Sequence, residues 1–112
     1  MPLWVHEGFA QAQEGRALTP LELEISGTLA RGGSWVPLKW LDRHFQQPSS
    51  QDDLERAYVE SREAVAFLLR RHGVDRFKDF LMRLAKGEGV ESAFDDSFHP
   101  TRWSRMERGI LE

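Results

Sequence analysis

The stretch Leu54–Gly73, LERAYVESREAVAFLLRRHG, decides the fold class. Leu54, Ala57, Tyr58, Ser61, Val65, Leu68, Leu69 and His72 recur at the i, i+3, i+4, i+7 spacing of one helical face. That spacing predicts a long helix of about five turns with one buried stripe. Arg70, Arg71 and His72 fall in its last turn, where the helix dipole favours cations, and Gly73 is placed to stop it.

The same grammar extends in both directions. Downstream, Asp75–Lys86 is predicted as a helix with Phe77, Phe80, Leu81, Leu84 and Ala85 inward, broken by Gly87 and Gly89. Val90, Ala93, Phe94 and Phe98 make a short stripe, and Pro100-Thr101 opens a last helix carrying Trp103, Met106 and Ile110. Upstream, Gln46–Gln51 is a polar loop, preceded by a short helix from Pro37 to Phe45 with Leu38, Leu41 and Phe45 at helical spacing. Thr19-Pro20-Leu21-Glu22 has the capping-box form, and the helix it opens fades at Gly32-Gly33. Pro2–Glu14 is the first helix, with Gly15 as its stop. No segment sustains an apolar–polar alternation, so strands are not expected. The expected architecture is all-α: about seven short helices in one bundle-like domain spanning 1–112, because no loop is long enough to link two domains.

Composition bounds the function. With 15 basic against 18 acidic residues, the chain carries a formal charge of −3 and lacks the basic surplus of a general nucleic-acid binder. It has no cysteine, which excludes disulfide scaffolds, thiolate metal sites and thiol catalysis. No run approaches the ~20 consecutive apolar residues of a membrane span. No basic region precedes an apolar stretch at Met1, so no export signal is visible.

The first helix is apolar nearly all round: Leu3, Trp4, Val5, Phe9, Ala10 and Ala12. Glu7 falls between Trp4 and Ala10 on the side of Leu3, at 100° per residue. Two readings of it stand side by side: a glutamate on a solvated flank, or a carboxylate that must be paired, hydrogen-bonded or protonated. His6-Glu7-Gly8-Phe9-Ala10 begins like the zinc motif His-Glu-x-x-His, but Ala10 stands where the second imidazole is required.

Trp4-Val5-His6-Glu7-Gly8-Phe9-Ala10-Gln11, led by Pro2-Leu3, resembles the tryptophan–x–x–glutamate–glycine–x–alanine segment of gluzincin-type metallopeptidases, with the peptidase MA-like group as the nearest match. Ala57-Tyr58-Val59-Glu60-Ser61, then Val65-x-x-Leu68-Leu69-x-x-His72-Gly73, is similar to a later helix of that family. Phe77–Gly87, Val90–Phe98 and Trp103 follow in matching order. The resemblance implies that Glu7 is the zinc-ligating carboxylate and that Tyr58 donates a hydrogen bond to the developing oxyanion. It implies zinc in the complete family domain. A departure accompanies it: no His-Glu-x-x-His occurs, so two metal ligands and the general base are missing. His44, His72 and His99 are scattered without ligand spacing and read as a surface or capping residue, a helix-end cation and a turn residue.

The chain is therefore expected to be the C-terminal helical portion of a zinc metallopeptidase-like domain, inactive and zinc-free by itself, with a peptide substrate only when the domain is completed. As a fragment it is expected to expose an apolar surface around Leu3, Trp4 and Phe9 where the missing half packs; the alternative is a non-catalytic helical interaction module that uses the apolar first helix for a partner or a homodimer. Arg102, Arg105 and Arg108 read as a solvated face rather than an anion-binding edge. Trp4, Trp35, Trp40 and Trp103 read as core packing rather than a stacking platform.

Overall fold

The computed structural model describes residues 2–14, 20–30 and 38–107. They form seven helices: α1 (Leu3–Glu14), α2 (Pro20–Ala30), α3 (Leu38–Gln46), α4 (Gln51–His72), α5 (Val74–Ala85), α6 (Val90–Ser97) and α7 (Trp103–Met106). There is no strand among the described residues. The all-α expectation holds. Gly15, Thr19, Gly32, Gly33, Trp35, Pro37, Arg108 and Ile110 lie outside the described residues.

The long helix α4 is the axis of the molecule. It packs against α1, α2, α3 and α5, while α6 continues from α5 and α7 from α6. Contact on several sides explains why its buried set is wider than one stripe. Ala57, Ser61, Val65 and Leu68 are buried as their spacing requires, but so are Val59, Glu60, Ala64 and Phe67. A single-face pattern presumes burial on one side only. The helix also begins before Leu54. The Ser50 hydroxyl oxygen accepts the Asp53 amide at 3.1 Å, and Asp52 and Asp53 sit in the first turn where the dipole favours them. At the other end Gly73 adopts φ 88° and its amide closes on the Leu69 carbonyl at 2.9 Å. That left-handed angle is the reason a glycine stands there.

Helices α5 and α6 form an aromatic layer. Phe77, Phe80, Phe94 and Phe98 are all fully buried, with ring centroids 4.9–6.1 Å apart, several of them edge-to-face. Each buried ring contributes about 1.5–3 kcal/mol, with about 0.5–1.5 kcal/mol more from a favourable ring pair. Arg83 joins the two helices from outside: its guanidinium bonds Asp79 (2.9 Å), Asp96 (3.2 Å) and Glu88 (3.4 Å). The Arg83 hydrogen bond, against a smaller opposing effect of burial, holds the Asp79 carboxyl below its ordinary value.

Three expectations need correction. The last helix starts at Trp103, not at Pro100-Thr101. Its first amide is taken by Asp95 Oδ1 at 2.7 Å, a cap supplied from α6, while the Thr101 hydroxyl is engaged by His72 instead. Trp4 is no part of an exposed apolar surface: it is 1 % exposed and stacked on Trp103, with centroids 6.1 Å apart. Leu3 and Phe9 are half-buried, Phe9 stacked on Phe77, and α1 meets solvent at His6 and Ala10. Trp40 is 46 % exposed, with the Arg43 guanidinium 5.7 Å above its ring, and is not core.

Candidate functional site

Glu7 and Tyr58 sit on α1 and α4, two helices that come into close contact at Gly8. Gly8 of α1 lies so near α4 that a Cβ built on it would overlap the Ser61 carbonyl oxygen and come within 2.6 Å of Val65 Cγ2. Glu7 adjoins that glycine in sequence, and Tyr58 stands three residues, less than one turn, before Ser61. Both side chains are half-buried. The Tyr58 ring meets the edge of Phe45 at 5.0 Å and 69°, which fixes the phenol from the α3 side. Glu7 is thus neither in bulk water nor sealed in the core.

The entry to α1 is fixed by a neighbouring helix. Asp42 Oδ1 of α3 accepts the Trp4 amide at 3.1 Å, capping the open end of α1 from outside its own sequence. The Leu38 amide at the start of α3 donates to the Glu107 carbonyl at 2.7 Å, tying α3 to the segment after α7. Pro2, Trp4, Leu38, Asp42, Val90 and Trp103 enclose a pocket of about 230 Å³ there. A second, wider groove of about 450 Å³ runs between α2 and the start of α4, lined by Glu24, Asp52, Asp53 and Arg56 among others. Glu7 and Tyr58 line neither of these two cavities.

The histidines do not assemble with Glu7. His44 is half-buried, and its Nδ1 lies 3.0 Å from both Asp53 carboxylate oxygens, a pairing that the sequence reading did not foresee. Burial raises the Asp53 carboxyl, but hydrogen bonds from His44 and the Ser49 amide, with the His44 charge, bring it below its ordinary value. His99 lies in the turn before α7 and is exposed. His72 departs from the expected helix-end cation: burial, then the charges of Arg76 and Arg71, lower its pKa from the ordinary imidazole value. Among the described residues no three His, Cys, Asp or Glu side chains are grouped to hold a metal ion. A catalytic zinc takes three protein ligands and a water. Glu7 offers one, so these residues by themselves do not fit a zinc centre.

Three buried polar side chains among the described residues, Glu60, Ser61 and Ser97, were given no chemical role in the sequence reading. Glu60 and Ser61 are both 0 % exposed, and Ser61 Oγ has no hydrogen-bond partner among the described residues. A glutamate on the long helix looks solvated by default, and nothing in its local spacing signals burial. Compared with family models, with curated proteins and with solved structures, the chain matches none.

Proposed function

We propose that residues 1–112 form the C-terminal helical portion of a zinc metallopeptidase-like domain, which hydrolyses peptide bonds when complete. The observation that carries the reading is the ordered pattern Trp4-x-x-Glu7-Gly8-x-Ala10 followed by Ala57-Tyr58-x-x-Ser61. Packing supports it: the glycine of that pattern stands where no side chain fits, on the helix pair that bears Glu7 and Tyr58. In a completed domain Glu7 would be the carboxylate ligand, and Tyr58 would donate a hydrogen bond from its hydroxyl to the oxyanion developing on the scissile carbonyl. The two imidazole ligands and the general base would have to come from a His-Glu-x-x-His helix outside these residues, and the chain alone is expected to be inactive.

The coding sequence immediately upstream of the Met1 codon is the first test, since the reading requires an in-frame His-Glu-x-x-His a short distance before it. The longer product should then bind zinc stoichiometrically by elemental analysis and lose it in Glu7→Gln. Tyr58→Phe should retain zinc and lower kcat by about 10²–10³, the value of one oxyanion donor. An upstream sequence without the motif, or a longer product whose peptidase activity survives Glu7→Gln, overturns the proposal. The alternative is a helical interaction or homodimerisation module using α1; the burial of Trp4 and Val5 in the chain's own core removes them from the apolar α1 surface that either reading would use.

A further inference from the structure

Three segments meet at His72, the last residue of α4. Its Nδ1 lies 3.1 Å from an Arg76 guanidinium nitrogen, and its Nε2 lies 2.9 Å from Thr101 Oγ1. A guanidinium has only protons to offer, so Nδ1 must accept with its lone pair. The single ring proton then sits on Nε2 and donates to the Thr101 hydroxyl oxygen, which makes the imidazole neutral. The Phe98 ring packs beside it, centroids 5.3 Å apart, and Phe98 belongs to the buried aromatic layer of α5 and α6.

We propose that His72 is a proton-operated latch: neutral, it holds the first turn of α5 and the Thr101 turn to the end of α4, and protonated, it releases Arg76 and loosens that corner. Adding a proton to Nδ1 removes the lone pair that Arg76 uses and sets one N–H against another. It also places a third positive charge beside Arg71 and Arg76, whose charges already act on the ring. The other charged or titratable groups on these segments are Arg70 of α4, Asp75 of α5, and His99 and Arg102 around Thr101. All four are exposed, and Arg102 is turned to Asp95 at 3.7 Å. Burial and the two guanidinium groups together hold the imidazole below its ordinary value. The unfolded chain therefore takes up the proton first as pH falls. The contribution of His72 to stability is complete above the ordinary imidazole value and declines from there down to the lowered one. Below the lowered value the folded protein itself protonates and the latch opens.

Nitrogen-15 imidazole spectra of the full chain across pH 4–8 test this without any substitution. The expected result is an Nε2–H tautomer at neutral pH and a midpoint below the ordinary value of about 6.5. The amides from Val74 to Phe77 and of Thr101 should shift, and exchange faster, with the same midpoint. Arg76→Met, which keeps the aliphatic stem, should move the midpoint up toward the ordinary value, and His72→Gln should remove the pH-linked amide changes. An Nδ1–H tautomer, a midpoint at or above the ordinary value, or α5 amides that ignore the titration each overturn the latch. So does an Arg76→Met midpoint equal to that of the parent chain.

Discussion

Gly8→Ala should destabilise the protein even though alanine is the better helix former. An exposed helical site gains about 1 kcal/mol from this exchange. At Gly8 the new methyl group would overlap the Ser61 carbonyl oxygen and lie 2.6 Å from Val65 Cγ2 and 2.8 Å from the Ser61 carbonyl carbon. Two of those three atoms are backbone of the central helix, so no rotamer change clears them. Helix α1 would have to withdraw by roughly 0.5–1 Å, loosening Trp4 and Val5 along its length, and overpacking of this kind costs typically 1–3 kcal/mol. With rigid backbone as the obstacle, the upper end applies, and about 2 kcal/mol of net loss remains after the helix gain. For a chain of this size that is a fall in Tm of about 8–9 °C. Ala10, exposed two residues further along α1, supplies the ruler: Ala10→Gly should cost only the propensity difference of about 1 kcal/mol. Calorimetry or thermal circular dichroism on both variants measures the pair. A Gly8→Ala protein as stable as the parent, or more so, would refute the close approach of α1 and α4 and the packing support for the proposed function.

Asp42→Ala removes the carboxylate that caps α1 from α3 and should lower stability by about 1 kcal/mol in urea unfolding, with Asp42→Asn retaining most of it. Phe80→Ala empties the centre of the aromatic layer and should cost about 3–5 kcal/mol, read as a fall in Tm of roughly 13–21 °C. Asp53 is held below its ordinary value in the folded state, so its contribution is present above the unfolded carboxylate value and lost as pH falls through the lowered one. Urea midpoints measured from pH 5 down to pH 2 should accordingly decline less steeply in Asp53→Asn than in the parent chain.

The helices were legible because each is punctuated locally, by Gly73, Gly87 and Pro20, and because the aromatic residues of α5 and α6 keep a helical period. What escaped was whatever depends on a second element. The start of α7 is set by Asp95 of α6, and the entry to α1 by Asp42 of α3; neither partner is a sequence neighbour. The full burial of Glu60 and Val59 follows from α4 being enclosed on several sides, which a one-face pattern does not encode. His72 read as a cation because its helix end favours one, yet Arg76, one turn onward, takes its lone pair. Glu7 and Tyr58 as site residues came from a resemblance rather than from spacing; the structure has both half-buried, on α1 and α4. The exposed apolar α1 surface failed at Trp4 because its stacking partner, Trp103, lies almost a hundred residues away.

That indole pair has a practical consequence. With ring centroids 6.1 Å apart and planes inclined by only 19°, Trp4 and Trp103 are close enough for their electronic transitions to couple, while Trp40 stays exposed. The chain thus carries its own optical gauge of assembly. A coupled near-ultraviolet signal marks the joining of α1 to α7, and its disappearance ahead of the backbone signal would show the first helix peeling away before the aromatic layer melts.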